Sequence, residues 1–522
     1  MTYIVKQRIK GRVYVYEVES YWNPEKRQPR QRRRYLGVWD EEKGEIIPKR
    51  SQRSIKTTKL YGTLYLLDML SEEMDLYNIL YRTLGNDGIY ILGLAMAKLH
   101  MPGVSMKNIH YIFEDSFIPE YYGIKEHLDS RRISELFKRI YSNRDGITEF
   151  FRHLISMDGN DTVLYDITSI SSYSNIIELL EYGYNRDGLN LPQVNLGLVV
   201  SRDLNLPLYF KLFPGSVNDV STLHNLLIEI RNLGVKSCRF ILDRGFYSES
   251  NIAEMFGHGI DFIIPLPANV KLYKNMISST NRSISSPENA FRYNSEIFYV
   301  HSASVNIGGH DVYAYLLYSK SRESEEHTSF FNRLMDIENV LEGKRVRGDI
   351  HELIKNTAGN FSKFFEFSVV DGVLHLSRKI KAISQALNRF GKMILLSSTR
   401  LSWDEVLMLY RERDVIEKEF RTLKNDLSVM PMRMRTVESI HGLLFVLFVS
   451  LILRFLLLQR CRENGLLEKR SIDDILLEMR KLRAVYIGEE WHLTEVTKKQ
   501  REIFKKLGLN VPINIVIKRA GA

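Results

Sequence analysis

Residues Tyr410–Lys424 read YRERDVIEKEFRTLK, within a helix that the sequence predicts over Trp403–Leu427. On an α-helix of about 3.6 residues per turn, four of its polar side chains fall within an arc of roughly 60°: Tyr410, Arg413, Glu417 and Lys424. An apolar stripe beside them indicates packing on a core: Leu409, Ile416, Phe420, Leu423 and Leu427. A carboxylate between two cations and a phenol suits a divalent metal beside phosphates. A solvated helix face held by i,i+3 and i,i+4 ion pairs would show the same pattern.

The spacing Tyr-x2-Arg-x3-Glu-x6-Lys in this segment resembles the signature of the insertion sequence 4 family of transposases. The resemblance implies a catalytic domain of ribonuclease H fold with three carboxylates in the order Asp, Asp, Glu, and it makes Glu417 the last of them. It also implies that Tyr410, Arg413 and Lys424 bind DNA phosphates near the cleaved end, Arg413 as a planar fork and Lys424 as a point charge. Two aspartates are therefore expected upstream, each at the end of a strand.

Asp166 and Asp243 meet this expectation. Asp166 follows the run Thr162–Tyr165, and Asp243 closes the short apolar run Phe240–Leu242, as side chains do at the exit of buried strands. An aspartate after a strand is often only a helix cap or a turn former. Their order ahead of the signature favours a catalytic role for both.

The rest of this region predicts an α/β fold: a ribonuclease H-like mixed sheet with flanking helices. Strands are predicted over Gln193–Val200, Leu206–Phe213, Cys238–Asp243, Ile260–Pro265 and Lys392–Ser397, and helices over Val220–Asn232 and Glu249–Phe256. The interval from Asp243 to Glu417 is too long for one strand–helix connection, so an insertion is expected. Alternating apolar and polar residues over Tyr293–Lys320 predict that it is β-rich, and the resemblance implies that it cradles the end of the DNA element.

We expect six segments along the chain. They are a basic β-module that contacts DNA at 1–54, a helical region for recognition of DNA ends at 55–157, the first part of the ribonuclease H-like core at 158–268, the β-rich insertion at 269–390, the second part of the core with the signature helix at 391–460, and a C-terminal helical tail at 461–522.

Positive charge is concentrated at the N terminus. The 522 residues include 73 Lys and Arg against 63 Asp and Glu, a net charge of +10, and residues 1–60 hold 16 basic and 7 acidic residues. The densest run lies between a hairpin-like Tyr3–Ser20 and a strand-like Tyr35–Trp39, and it predicts contact with a phosphate backbone. A merely solubilising stretch is the alternative. The candidate DNA-binding residues are Lys26, Arg27, Arg30, Arg32, Arg33 and Arg34.

Other features narrow the class of protein. At 44 % hydrophobic residues the chain can bury several cores. Cys238 and Cys461 make neither a disulfide framework nor a zinc site. The apolar run Leu443–Leu458 contains Arg454 and is shorter than the roughly 20 residues that a membrane span needs, so a buried helix is predicted. The first residues do not resemble a signal peptide, and we expect a cytoplasmic, prokaryotic protein that associates with the nucleoid when it acts.

The resemblance also implies the reaction: binding of the ends of an insertion sequence, cleavage by hydrolysis, and joining of the 3′-OH ends to target DNA. Asp166, Asp243 and Glu417 would hold two Mg²⁺ (or Mn²⁺) ions about 4 Å apart. The implied partners are transposon ends, target DNA and a second copy of the chain, with no membrane and no organic cofactor. Three alternatives stay open: a metal-dependent nuclease of the same fold, an inactive DNA-binding descendant, and a phosphatase of the haloacid dehalogenase type. Thr168 disfavours the phosphatase, since that family has an acidic residue at this place.

Overall fold

A computed structural model gives the architecture and describes residues 2–24, 27–48, 55–158, 162–174, 176–185, 188–235, 238–345, 349–425 and 431–518. Lys26 of the basic run and Leu427 of the apolar stripe lie outside the described residues. At the N terminus, strands pair in chain order into an antiparallel sheet: β1 (Thr2–Ile9), β2 (Arg12–Asn23), β3 (Gln28–Asp40) and β4 (Glu45–Pro48).

The basic run lies inside a strand of this sheet. The sequence predicted strand character only from Tyr35, but β3 begins at Gln28. Opposite charges face each other across the β2–β3 pair, with Arg34 opposite Glu17 and Arg32 opposite Glu19, and such pairs stabilise a strand whose composition does not predict one. Because side chains alternate along a strand, three arginines share one face of the sheet: Arg30, Arg32 and Arg34.

The segment predicted to be helical begins with a strand and then is helical. Its elements are β5 (Ile55–Leu60), α1 (Gly62–Glu72), α2 (Leu76–Leu84), α3 (Asn86–His100), α4 (Ile109–Asp115), α5 (Ile118–Tyr121), α6 (Ser130–Ser142) and α7 (Arg144–Met157).

The predicted core elements follow, close to their expected bounds. They are β6 (Thr162–Ser171), β7 (Gln193–Ser201), β8 (Pro207–Pro214), α8 (Asp219–Asn232), β9 (Arg239–Ile241), α9 (Glu249–Gly257) and β10 (Asp261–Pro265). A helix that was not predicted, α10 (Lys271–Thr280), begins the segment expected to be the insertion. The predicted insertion contains β11 (Ala290–Tyr293), β12 (Glu296–Ile307), β13 (His310–Ser319), α11 (Lys320–Leu341), α12 (Ile350–Ala358), β14 (Phe365–Val370), β15 (Val373–Arg378) and α13 (Ile380–Leu387). The chain then forms β16 (Lys392–Ser397), the signature helix α14 (Trp403–Asn425) and α15 (Val437–Glu463).

A mixed sheet of nine strands organises the described part of the chain. Its order is β11-β12-β13-β16-β10-β9-β6-β7-β8. The β6–β9 and β9–β10 pairs are parallel and the other pairs are antiparallel. The predicted mixed sheet with flanking helices is therefore confirmed.

The predicted insertion is organised differently from the expectation of a β-rich unit. Its strands β11–β13 extend the central sheet, because β13 pairs with β16 over Tyr313–Tyr318. A second core, distinct from the main one, is built mainly from helices, and among the described residues the hairpin β14–β15 supplies its strands. Residues such as Leu334, Ile337 and Leu341 of α11 fill this second core. Alternation of residue types predicts a strand but not its partner, which is why the sequence did not reveal the extended sheet.

The C-terminal part is not purely helical as expected. It contains α16 (Ile472–Met479), β17 (Arg483–Ile487), β18 (Glu490–Leu493) and α17 (Lys498–Lys506), and β17 pairs with both β18 and β5. Helix α15 is long and apolar enough to cross a membrane by length and composition, but 94 % of its most apolar window is buried inside the protein. That burial confirms the predicted buried helix.

Candidate active site

The sheet places the two predicted aspartates side by side. Strands β6 and β9 run parallel, with Leu164 opposite Ile241. Asp243 follows the end of β9 as predicted, but Asp166 lies inside β6, which continues to Ser171, so the prediction that it ends its strand is wrong. Each aspartate comes two residues after this pair, so both side chains lie at the same end of the β6–β9 pairing. The parallel pairing therefore brings together two carboxylates that are far apart in the chain.

Helix α14 packs across this end of the β6–β9 pairing and places Arg413 between the carboxylates. The guanidinium Nη1 lies 2.9 Å from Oδ1 of Asp243, and Nη2 lies 3.6 Å from Oδ2 of Asp166. Nη2 also donates a hydrogen bond of 2.6 Å to Oε1 of Glu417, one helical turn further on. One guanidinium thus joins the three predicted catalytic carboxylates into one cluster.

The cluster is buried at Arg413 and open to solvent at Glu417. The Arg413 side chain is 8 % exposed, whereas that of Glu417 is 49 % exposed. Burial alone lowers the pKa of the Arg413 guanidinium, but Asp166 and Asp243 outweigh it and hold that pKa above its usual value. The Nε of Arg413 is buried without a hydrogen-bond partner among the described residues. Arg413 is therefore a permanent cation held in place by charge more than by hydrogen bonds.

Backbone groups orient the two aspartates. Oδ1 of Asp166 accepts a hydrogen bond of 2.8 Å from the N–H of Ile167, and Oδ1 of Asp243 accepts one of 2.7 Å from the N–H of Arg244. The second bond makes Asp243 the cap of a short 3-10 turn, Arg244–Phe246. The capping function considered for this aspartate is thus present, and the same Oδ1 also faces Nη1 of Arg413.

The other residues of the signature lie along the same helix. Tyr410 is half-buried. Burial raises the pKa of its phenol above the usual value; the charge of Arg413 opposes this shift, and Asp243 and Glu417 add to it. Lys424 is half-buried and lies about 10 Å beyond Glu417 along the helix axis. Leu409 and Phe420 of the apolar stripe are buried, as predicted. The side chains of Ile416 and Leu423 lie outside the described part.

An ion pair that sequence reasoning missed fixes the helix to the sheet. Arg202, in the turn between β7 and β8, donates from Nε to one oxygen of Glu412, and from Nη2 to the other at 3.1 Å. Glu412 directly precedes Arg413, so this two-point contact resists rotation of the helix over the carboxylates. No spacing rule links positions 202 and 412, and the pair becomes evident only in three dimensions.

The donor set fits a hard divalent cation. Three carboxylates carry three negative charges against one positive charge from Arg413, and hard cations prefer carboxylate oxygens. Among the described residues no group of three or more His, Cys, Asp or Glu side chains is arranged to hold a metal ion, because the guanidinium stands between the carboxylates. Metal binding by Asp166, Asp243 and Glu417 therefore requires Arg413 to give up part of its contacts.

The N-terminal arginines form a separate, exposed surface. Arg34 lies 3.7 Å from Glu17, and the guanidinium of Arg32 lies 5.8 Å from the ring centre of Tyr21. Arg27, Arg30 and Arg33 are exposed as well. These contacts leave most of the positive charge facing solvent.

Comparison with known proteins assigns the family. A family model described as the transposase DDE domain matches residues 158–453. No curated protein matches the chain. Among solved structures, the piggyBac transposase synaptic complex with hairpin DNA is similar at 11 % identity and a TM-score of 0.38, over 83 % of this chain and 81 % of that one. That likeness is too distant to support an argument. The family match covers more than half of the chain and all three clustered carboxylates, and the protein belongs to the family of transposases with a DDE domain.

Proposed function

We propose that this protein is a cut-and-paste transposase of the insertion sequence 4 family. It would bind the ends of its own element, cleave the DNA there, and join the 3′-OH ends to target DNA. The observation that supports this proposal most strongly is the convergence of Asp166, Asp243 and Glu417 on Arg413. Three carboxylates come from separate parts of the chain, and all lie inside the matched transposase domain. They form one cluster beside the end of β9 in the central sheet.

We propose Asp166, Asp243 and Glu417 as the ligands of two Mg²⁺ (or Mn²⁺) ions. When bound, such ions neutralise charge on the scissile phosphate and favour both the attacking and the leaving oxygen. Asp166, the most buried of the three carboxylates, would contact both ions, while Asp243 and Glu417 would each hold one. The exposed side of Glu417 leaves room for DNA to approach.

The remaining residues of the helix would hold the DNA. In the first step, water attacks the phosphorus at the element end and the 3′-oxygen leaves as a 3′-OH. In the second, that 3′-OH attacks a phosphate of target DNA and displaces the target's own 3′-oxygen. In both steps Arg413, released from part of its carboxylate contacts, would grip a non-bridging phosphate oxygen, with Tyr410 donating a hydrogen bond and Lys424 binding the neighbouring phosphate.

The N-terminal arginines would provide non-specific attraction to DNA. A plot of log affinity against log salt concentration has a negative slope, to which each phosphate contact contributes about −0.9. Changing Arg30, Arg32 and Arg34 together to Gln should therefore reduce the magnitude of this slope by about 3. Arg33→Gln, on the opposite face of the sheet, should change the slope by less than 1. Fluorescence anisotropy on duplex DNA at several salt concentrations measures both slopes. Equal slopes for the triple variant and the wild type would show that the N-terminal arginines do not contact DNA and serve only solubility.

Partners and location belong to the same proposal. A dimer would pair the two ends so that their cuts are concerted, and the protein would act in the cytoplasm on nucleoid DNA. The helical region 55–157 and the strands of the segment 269–390 are the proposed contacts to the element ends. The principal alternatives are a metal-dependent nuclease that cleaves without joining and a DNA-binding descendant without activity.

A cleavage and strand-transfer assay separates these possibilities. The substrate is the DNA flanking this gene, incubated with Mg²⁺ or EDTA and with target plasmid. A transposase should nick at the element ends only with Mg²⁺ and give joined products. Cleavage without joined products would identify the nuclease, and specific binding without cleavage would identify the inactive descendant.

A further inference from the structure

The strand that carries Asp166 extends beyond the carboxylates. Its pairing with β9 ends at Leu164, whereas its pairing with β7 continues to Ser171, opposite Gln193. From Asp166 onward, β6 therefore continues without β9, paired with β7, which in turn pairs with β8. We call this continuation the arm; its β6 residues are buried, and exposed side chains follow where the strand ends. Tyr173 lies about seven residues beyond Asp166, a span of about 23 Å at about 3.3 Å per residue.

The end of this arm is held to the chain that leaves the signature helix. Tyr173 donates its N–H to the carbonyl of Met432 at 3.0 Å, and Met432 donates to the carbonyl of Ser171 at 2.8 Å. From Arg413 the chain passes Lys424 and reaches Met432, while from Asp166 it reaches Tyr173. Met432, which follows the signature helix in the chain, therefore lies beside Ser171 and Tyr173 at the end of the arm.

Large apolar side chains are exposed at this end. Four of them are between 54 % and 85 % exposed, and we call them the tyrosine tip: Tyr173, Ile176, Tyr182 and Tyr184. Hydrogen bonds hold the backbone at Tyr184: its carbonyl accepts from Ser169 at 3.3 Å and from Gln193 at 3.1 Å. A concentration of exposed aromatic side chains on a fixed backbone marks an interaction surface.

The chemistry around the tip favours nucleic acid as its partner. The exposed guanidinium of Arg433 lies 5.5 Å from the ring centre of Tyr173, so a cation and an aromatic face are presented together. Aromatic rings stack on bases of any sequence, and exposed apolar side chains such as Ile176 insert between base steps. Bases of an intact duplex are stacked on each other, so such a surface fits DNA that is locally unpaired.

We propose that the tyrosine tip binds bases of the element end by stacking, within about seven base pairs of the cleaved phosphate. The range follows from the span of about 23 Å and the rise of about 3.4 Å per base pair. This inference rests on the proposed function, because it places the cleaved phosphate at Asp166. It assigns the tip a role in opening or holding the DNA beside the active centre, distinct from the carboxylates.

Mismatched DNA tests the inference, because a mismatch lowers the free energy needed to unpair the bases. The probes are an element-end duplex, the same duplex with three mismatched pairs three to seven base pairs from the cleaved phosphate, and one with the mismatches about fifteen base pairs away. We expect the wild type to bind the near-mismatch duplex at least tenfold more tightly than the other two. The Tyr173→Ala, Tyr182→Ala, Tyr184→Ala triple variant should lose this preference.

Two matched variants serve as controls. Tyr184→Phe keeps the ring and should keep the preference, and Leu477→Ala removes an exposed apolar side chain from α16, outside the proposed DNA contacts, and should behave as wild type. A wild type without the near-mismatch preference, or a triple variant that keeps it, would overturn the inference. Cleavage of the paired duplex by the wild type with Mg²⁺ is measured in parallel. If the wild type cleaves but lacks the preference, only the proposed role of the tyrosine tip is overturned. If the wild type does not cleave, the proposed function is overturned.

Discussion

Asp166→Asn is expected to reduce metal-dependent DNA cleavage at least about 10³-fold and to leave DNA affinity nearly unchanged. The amide keeps the shape of the side chain and an oxygen that accepts from Ile167, but it removes the charge that a divalent cation needs. Charge stabilisation of the transition state by bound metal amounts to several kcal/mol, and about 4 kcal/mol corresponds to a factor of 10³. Asp243→Asn and Glu417→Gln should each have the same effect.

The controls separate loss of chemistry from loss of fold. Glu249→Gln removes an exposed carboxylate from α9, in the same domain but outside the cluster, and should cleave as wild type does. DNA affinity in EDTA and the thermal unfolding midpoint are measured for every variant. Wild-type cleavage rates in any one of the three cluster variants would break the assignment of that carboxylate.

The sequence predicted the elements that carry the carboxylates because their patterns are local. A short apolar run that ends on Asp243 indicates a buried strand, and the parallel pairing of β6 with β9 then sets that residue beside Asp166. The helix around Glu417 was likewise predicted by the spacing of its polar and apolar residues. Buried Leu409 and Phe420 show that the apolar stripe packs on the core as expected.

The place of Arg413 could not be predicted from spacing. The i,i+4 rule gives its contact with Glu417, but the contacts with Asp166 and Asp243 depend on how the helix is rotated over the sheet. That rotation is fixed by packing and by the Arg202–Glu412 pair, which joins residues 210 positions apart. The resemblance assigned Arg413 to a phosphate, whereas the structure places it among the carboxylates.

Strand partners were the other feature that local patterns left open. Tyr293–Lys320 was predicted to form strands, but their addition to the central sheet depends on pairing between β13 and β16, which are separated in the chain by the whole second core. The pairing of β5 with β17 joins segments near the two ends of the chain. In β3, the high charge hid a strand that the opposing glutamates of β2 stabilise. Each of these features is set by distant residues.

Arg413→Gln is expected to destabilise the protein in EDTA and to strengthen its response to divalent metal. In the wild type the guanidinium neutralises part of the charge of three carboxylates, and its loss leaves them to repel one another in a partly buried site. Removing one partner of a buried ion pair costs about 3–5 kcal/mol, and the exposure of Glu417 places the expected cost toward the lower end. Arg421→Gln, an exposed change on the same helix, should leave stability unchanged.

The same substitution should tighten metal binding, because the guanidinium and the metal compete for the same oxygens. We expect the dissociation constant for Mn²⁺ to fall at least tenfold, equivalent to about 1.4 kcal/mol. Added metal should then raise the unfolding midpoint more in Arg413→Gln than in wild type, since ligand binding stabilises the folded state more as the ligand concentration exceeds the dissociation constant. Cleavage should nevertheless fall, because the phosphate grip is lost. Calorimetric titration and thermal unfolding with and without metal measure the two effects. Unchanged stability in EDTA together with unchanged Mn²⁺ affinity would show that Arg413 is not the counter-cation of the carboxylates.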